Sequence, residues 1–224
     1  MTSTPDNTRT SQPEAANSLV ISYLSLRTCI GVIGITLPLV LSLGALLADG
    51  PGLRSSISSY YYSGMGDVFV GSMCAIGIFL MSYRGYGNDH VASLAAGTFA
   101  VGVALCPMGS SATPSAHERL IGNLHYGFAA LLFLLLAYFC LRLFTKTDPA
   151  KPPTRRKLQR NVVYRICGVI ILLAIAFVAA ISPLPADAAI WKFNPVFWME
   201  SLAIVAFGVS WLVKGEAILK DNEV

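Results

Sequence analysis

Three ionisable residues, Asp67, His125 and Glu200, each lie within or at the start of a long apolar run. Ionisable side chains at membrane depth are costly, and they usually face a cavity or one another. Small residues recur near them at helical spacing, such as Gly71 four residues after Asp67, and small residues mark close contact between membrane helices. The pattern therefore predicts that the three side chains face the inside of a helical bundle and share one polar pocket.

A polar stretch, SSISSYYYSGMGDVFVG at residues 55–71, contains Asp67 and separates two of the apolar runs. Two further polar segments, residues 109–119 and 182–195, lie on the same predicted side of the chain. We therefore expect three polar loops to cover one face of the bundle, with the first of them forming a lid over the pocket. The lid residues predicted to reach the pocket are Ser59, Tyr60 and Tyr61.

Each residue of this predicted pocket also has an ordinary structural explanation. An acid at the start of a helix, such as Asp67, interacts favourably with the positive end of the helix dipole. His125 and Glu200 are compatible with roles as hydrogen-bonded packing residues between neighbouring helices. Tyrosines such as Tyr60 and Tyr61 commonly anchor a protein at the membrane interface. Both explanations stay open at the level of the sequence.

The composition predicts that membrane-spanning helices carry these residues. Of the 224 residues, 54% are hydrophobic and 12% are charged, which is about half of the charged fraction typical of soluble domains. Hydrocarbon offers backbone groups no partners, so continuous apolar runs predict helices rather than strands. The sequence therefore predicts an all-α polytopic membrane protein, a bundle of six transmembrane helices. The predicted spans are Thr28–Leu47, Asp67–Tyr83, Val91–Met108, Leu120–Phe144, Val162–Ile181 and Val196–Val213.

The regions outside the predicted membrane domain are short and polar. Residues 1–18 have no apolar core, so we expect a disordered cytoplasmic tail rather than a cleavable signal peptide. Residues 19–216 form the predicted six-helix transmembrane domain. Residues 217–224 form a predicted cytoplasmic C-terminal tail.

The basic residues predict the orientation of the chain. Of the 16 Lys and Arg residues, 13 flank the spans on one side and 3 on the other, and basic residues favour the cytoplasmic side. Both termini and the basic segment KPPTRRKLQR at residues 151–160 are therefore predicted to be cytoplasmic. The segment is interpreted mainly as this topology signal, with binding of anionic lipid headgroups as the alternative. Because the charge is concentrated beside the membrane, no nucleic-acid partner is expected.

Three segments carry a resemblance to a known group of proteins: SISSYYYSGMGDVFVG, NLHYGFAALLFLLLAYF and PVFWMESLAIVAFGVSWLVKGE. They are similar to a group of uncharacterised bacterial six-span integral membrane proteins and, more distantly, to the DRAM-type six-helix membrane proteins. The resemblance covers most of the chain after residue 25. It implies a six-helix architecture in the bacterial cytoplasmic (inner) membrane and no established activity. The recurring positions that it implies are Ser56, Ser58, Tyr60, Tyr61, Asp67, Gly71, Tyr83, His125, Trp198, Glu200, Trp211, Lys214 and Glu216.

A second, weaker resemblance is to the alkaline-ceramidase and progestin-receptor type of membrane hydrolase. That type uses a serine, an aspartate and three histidines around zinc, and this chain offers Ser59, Asp67, His117 and His125. The chain has no H-x-x-x-H pair on a late helix. A metal-dependent lipid hydrolase is therefore the alternative function. Its candidate zinc ligands are Asp67, His125 and Glu200.

The leading prediction is a non-enzymatic membrane protein that binds or senses a lipid or a small ligand in an outward-facing polar pocket. The predicted partners are membrane lipids and a small ligand on the outer side. No cofactor is predicted, because the sequence contains no phosphate-binding glycine motif and no metalloprotease or serine-hydrolase motif. The five cysteines fall within or beside the apolar runs without a C-x-x-C motif, which favours a role as small apolar fillers.

Overall fold

The computed structural model describes residues 11–83, 89–109, 113–147 and 152–220, and these residues form helices and connecting segments without a strand. Six long helices account for most of this part of the chain. They are α1 (Ser11–Asp49), α2 (Gly66–Met81), α3 (Asp89–Leu105), α4 (Ala116–Tyr138), α5 (Arg155–Ile181) and α6 (Pro195–Lys214). A π-helical turn, Phe139–Leu143, continues α4, and short 3₁₀ helices cover Ser58–Tyr62 and Ala189–Phe193.

Four of these helices are long and apolar enough to cross a membrane. The qualifying segments are Tyr23–Asp49, Ala116–Leu143, Arg155–Ile181 and Pro195–Lys214. The helices α2 and α3 are also apolar but have 16 and 17 residues. Large apolar side chains stay exposed on the outside of the helices, for example Leu47 at 87% and Leu173 at 65%. The described residues therefore form an all-helical structure compatible with a multi-pass membrane protein.

The helices pack in chain order as a closed ring. Each helix packs against the one that follows it, and α6 packs against α1. Residues 50–65, 106–109 and 182–194 meet at one end of the ring, which we call the serine-rich end; Tyr62 donates a hydrogen bond to the Met108 carbonyl there. The opposite end, called the basic end, joins the starts of α3 and α5 to the ends of α4 and α6. Contacts at the basic end include Lys146 with Asp89 and Lys157 with the Phe144 carbonyl.

Close backbone contact between α1 and α6 closes the ring. A Cβ atom at Gly208 would lie 2.8 Å from the Gly31 carbonyl oxygen and 2.9 Å from the Ile35 nitrogen. A Cβ at Gly34 would lie 3.2 Å from the Cα of Gly208. These glycines let the two helix backbones meet at a distance that a side chain would forbid.

An aromatic cluster fills the core at the basic end. Trp211 is fully buried, with its ring 5.2 Å from the rings of both Tyr83 and Phe144. The Arg27 guanidinium lies 5.4 Å from the Tyr83 ring centre, and the Lys214 ammonium lies 5.6 Å from that of Phe144. Aromatic faces attract cations, so basic residues and rings together hold the first and last helices at this end.

The helix boundaries differ most from the predicted spans at the starts of α1, α4 and α5, the last of which begins at Arg155 instead of Val162. Residues 11–18, which we predicted to be part of a disordered tail, belong to α1; they contain the capping pattern S-x-x-E followed by two alanines, and both features favour helix. Residues 1–10 of the predicted tail lie outside the described residues, as do the last four residues of the predicted C-terminal tail. The helix α4 begins before Leu120, at Ala116, because Ser115 and Glu118 form a reciprocal capping box.

Candidate functional site

The serine-rich segment forms a folded cap rather than a loose loop. Ser56 and Ser59 bond each other reciprocally: each backbone N–H donates to the other's hydroxyl oxygen, at 3.1 and 3.0 Å. The Ser59 hydroxyl also donates to the Ser56 carbonyl at 2.6 Å. Ser56, Ile57, Ser58 and Tyr60 are buried. These contacts use the serines to satisfy the backbone of a tight turn, which is a common role for serine.

Glu200 ties this cap to α6. Its Oε2 atom accepts a hydrogen bond of 2.6 Å from the backbone N–H of Ile57. One turn earlier on α6, the backbone N–H of Phe197 donates to the Ser55 carbonyl at 3.0 Å. The carboxyl group therefore provides an acceptor for the backbone N–H of Ile57, which is a buried residue.

His125 makes an equivalent link between α4 and the end of α3. The ring Nδ1 lies 2.6 Å from the Cys106 carbonyl oxygen, one residue beyond the end of α3. A carbonyl only accepts hydrogen bonds, so Nδ1 carries the proton and, in the neutral ring, Nε2 remains an acceptor. The last carbonyls of a helix lack partners within the helix, and His125 supplies a donor for one of them.

A cavity of about 370 Å³ lies between the cap and the starts of α4 and α6. Both His125 and Glu200 line it, so the fold brings these two predicted residues together. Indole, amide and hydroxyl groups surround the pair. We call this space the outer cavity; its polar and aromatic lining residues are Ser55, Ser56, Ser58, His125, Tyr126, Ser182, Trp191, Asn194 and Glu200.

A second cavity, also of about 370 Å³, opens between α4, α5 and α6. Its walls are alanines and branched apolar residues, such as Ala130, Ile175 and Ala179, and we call it the lateral cavity. The described lining of both cavities contains one carboxylate, that of Glu200, and no lysine or arginine. The two cavities share Tyr126, Ala129, Val178, Ser182, Val196 and Glu200. They are therefore adjoining parts of one space that changes from polar to apolar as it leaves the serine-rich end.

Asp67 does not line this space, contrary to the predicted three-residue pocket. It is exposed in the first turn of α2, and Gly71 on the same stripe has no atom within 4 Å of a built Cβ. The buried face of α2 instead carries Phe69, Met73, Ile76, Gly77 and Leu80. Large apolar side chains at helical spacing fill the centre of the ring, and they rotate the stripe of small residues outward.

The predicted lid residues also lie outside the lining. Ser59 bonds Ser56 as described, and Tyr60 is fully buried with its hydroxyl 3.3 Å from that of Ser42. Tyr61 stacks edge-on against Tyr62 at 5.0 Å. None of these hydroxyls contacts Asp67 or Glu200 in the described contacts. The cap reaches the outer cavity through Ser55, Ser56 and Ser58 instead.

Several lining residues were missed at the level of the sequence. Tyr126 follows His125 directly, and Trp191 and Asn194 lie in the third polar segment. Asn194 adopts a left-handed backbone conformation, with φ of 48°, immediately before Pro195 begins α6. The N-P dipeptide is a recognisable turn signal that could have pointed to a structured corner there.

The predicted metal ligands do not form a metal site. Among the described residues, no three His, Cys, Asp or Glu side chains converge in a way that could hold an ion. Asp67 is exposed, and His125 and Glu200 each use an atom on a backbone group of a neighbouring segment. Catalytic zinc takes three protein ligands and an open position, which this pair alone does not supply.

The chain matches no protein-family model, no curated protein and no solved structure. The resemblance to six-span bacterial proteins therefore stays a prediction.

Proposed function

We propose that this protein is a six-span integral membrane protein that binds an amphiphile at its serine-rich end. In this proposal the head group occupies the outer cavity, and the hydrocarbon chain follows the lateral cavity between α4, α5 and α6. The supporting observation is the continuity of the two cavities through Glu200, Tyr126 and Ser182. Ligand sites are mostly apolar, with a few well-placed polar groups that orient the ligand, and this space has that composition.

The charges of the lining favour a head group that donates hydrogen bonds. Glu200 is the one carboxylate in the described lining, and neither lysine nor arginine is present to balance it. His125 offers Nε2 as an acceptor in its neutral form, because Nδ1 is used on Cys106. An amine or ethanolamine head group fits acceptors of this kind, whereas a purely anionic head group would face the Glu200 carboxylate.

The helix ends support six spans rather than four. The helix α2 begins beside the serine-rich cap, and Tyr83 just after it packs on Trp211 at the basic end. The helix α3 begins where Asp89 pairs with Lys146, and it ends where Cys106 meets His125. A helix of 16 residues is about 24 Å long, somewhat less than the hydrocarbon core, and thinning of the bilayer accommodates such a mismatch.

A bacterial inner-membrane location with both termini in the cytoplasm remains part of this proposal. It rests on the 13-to-3 distribution of basic residues and on the resemblance described above. The metal-dependent lipid hydrolase remains the alternative, and no arrangement of described side chains favours it.

Reporter fusions test the six-span topology. A reporter after Val224 or within residues 150–158 is expected to report cytoplasm, and one within residues 110–116 the opposite side, because the basic flanks stay inside. Alkaline phosphatase and green fluorescent protein fusions give complementary signals for the two sides. If α2 and α3 did not cross the membrane, residues 110–116 would still report the outer side, so a further fusion within residues 84–88 is needed. A cytoplasmic signal from that fusion, together with an outer signal from residues 110–116, is expected only when both short helices span.

Filling the lateral cavity tests amphiphile binding. Ala179 lines that cavity, whereas the neighbouring Ala180 is exposed and is not among its lining residues. Ala179→Phe is expected to weaken binding of a single-chain lysophosphatidylethanolamine on the order of tenfold, because the ring takes the space of the acyl chain. Native mass spectrometry of the detergent-purified protein measures the bound fraction as the lysolipid is titrated.

Ala180→Phe is the matched control, since it adds the same ring to the same helix outside the cavity. It should bind the lysolipid as the unchanged protein does. A lysophosphatidylglycerol with the same chain should bind more weakly to the unchanged protein, because its head group lacks the amine. Equal losses in both variants, or no loss in either, would contradict the proposed position of the chain.

A further inference from the structure

A separate groove opens at the basic end, between the end of α4 and the first half of α5. It is an open space of about 590 Å³. Among the described residues that line it, three are cations and none is acidic. We call it the basic groove; it is lined by Tyr138, Leu141, Arg142, Thr145, Lys146, Thr147 and Arg165.

An irregular turn of helix shapes one wall of the basic groove. The α-helix gives way to a π-helical turn at Phe139–Leu143, which contains Arg142. Such turns change the direction of the side chains that follow, and they are frequent at functional sites. The Thr145 hydroxyl donates to the Leu141 carbonyl at 2.9 Å and to the Arg142 carbonyl at 3.1 Å. The Thr145 side chain therefore supplies a hydrogen-bond donor for backbone carbonyls at this end of the helix.

A close helix contact brings the second wall into place. Leu141 packs onto Gly168 of α5, where a built Cβ would lie 2.5 Å from the Leu141 Cγ. Arg165 precedes Gly168 by three residues, about one turn towards the basic end. The contact therefore holds Arg142 of α4 and Arg165 of α5 on the two sides of one groove.

Among the described residues, no acidic side chain pairs with either arginine of the groove. Lys146 pairs with Asp89, which is buried. Within the described ranges, no ion pair to an acid is found for Arg142 or Arg165, and both side chains are exposed. Arginine presents a planar fork of donors that matches the oxygens of a phosphate group. The basic groove thus has the chemistry of a phosphate site.

We propose that the basic groove binds the head group of an anionic phospholipid from the adjoining leaflet. The groove lies at the ends of two helices long enough to span a membrane, so phospholipid head groups are its neighbours. Tyr138 and Leu141 add an apolar wall for the start of an acyl chain. Basic pockets between membrane helices on one side are typical sites for such head groups. This site is distinct from the outer cavity, whose described lining has no lysine or arginine.

The test compares two double variants that remove the same number of charges. Arg142→Gln with Arg165→Gln removes the groove charges. Arg155→Gln with Arg156→Gln removes two exposed charges at the start of α5, outside the groove lining. Native mass spectrometry of the full-length protein in detergent is used with phosphatidylglycerol, with phosphatidylcholine of the same chains, and with inorganic phosphate.

The groove double variant is expected to bind phosphatidylglycerol on the order of tenfold more weakly, and the control to change by less than about twofold. The variant Arg142→Lys with Arg165→Lys should lose less, because it keeps the charges and loses the planar fork. Equal losses in both glutamine variants would overturn the proposal in favour of diffuse surface charge. Equal binding of phosphatidylcholine, or binding of inorganic phosphate as tight as that of the lipid, would overturn the lipid head group as the ligand.

Discussion

Glu200→Ala is expected to lower the free energy of unfolding by about 2–3 kcal/mol, because it leaves the Ile57 N–H buried without an acceptor. That hydrogen bond joins the Ile57 N–H to Oε2 at 2.6 Å. Its removal leaves the hydrogen bond from the Phe197 N–H to the Ser55 carbonyl as a remaining link between the serine-rich cap and α6, so the cap should become more accessible to protease. The thermal unfolding midpoint of the protein in detergent measures the first effect, and limited proteolysis measures the second.

Two variants separate the hydrogen bond from a general effect of acid removal. Glu200→Gln keeps an amide oxygen that can accept from Ile57, so its destabilisation should be clearly smaller than that of Glu200→Ala. Asp67→Asn removes another acid near the start of a helix at this end, but Asp67 is exposed, and no hydrogen bond from it to the cap is found among the described residues. If Asp67→Asn destabilised the protein as much as Glu200→Ala, the assignment of Glu200 as the cap anchor would be wrong.

Gly208→Ala is expected to destabilise the protein by about 2–3 kcal/mol, because the new Cβ must push two helix backbones apart. Its position would be 2.8 Å from the Gly31 carbonyl oxygen and 2.9 Å from the Ile35 nitrogen. Both neighbours are backbone atoms, so no side-chain rotation relieves the overlap. Thermal unfolding in detergent, compared with the unchanged protein, gives the size of the destabilisation.

Gly71→Ala is the matched control, because it makes the same substitution within another helix of the bundle. A Cβ at Gly71 meets no atom within 4 Å, and alanine is a better helix former than glycine by up to about 1 kcal/mol. We therefore expect the two substitutions to have effects of opposite sign. Destabilisation of similar size by both would show that close packing at the α1–α6 contact is not the cause.

Asp67 and Glu200 together explain why the predicted pocket was partly wrong. Both are acids within the first turns of apolar helices, and both have small residues nearby at helical spacing. Small residues are equally compatible with a helix contact and with exposure to lipid. The small residues of α2 therefore do not show whether their side of the helix faces the bundle or the lipid. The rotation of α2 is set by Phe69, Met73 and Ile76, which fill the centre of the ring. On α6 the small residue Ala203 and the large residue Phe207 are both buried, and Glu200, at helical spacing from them, lines the cavity.

The tyrosines of the serine-rich cap also have positions that the residue types alone do not predict. The segment Tyr60–Tyr62 was expected either to cover the pocket or to anchor the chain at the interface, and the fold separates its three members. Tyr60 is buried against Phe197 at 6.2 Å, and Tyr62 is exposed and bonds the Met108 carbonyl. A short 3₁₀ helix, Ser58–Tyr62, points successive side chains in different directions. The residue types alone did not contain this information.

The amino-acid sequence is sufficient to predict a helical chain that is apolar enough to cross a membrane several times, because hydrocarbon leaves the backbone no alternative to internal hydrogen bonds. It also singles out His125 and Glu200, because ionisable groups in apolar helices need partners. The identity of those partners follows from the fold, since Ile57 and Cys106 are 143 and 19 residues away from Glu200 and His125 along the chain. The fold likewise places Asp67 outside the outer cavity, and it joins the polar outer cavity to the apolar lateral cavity. These features depend on how each helix is rotated about its axis, which is set by the packing of large side chains from neighbouring helices and not by any local pattern.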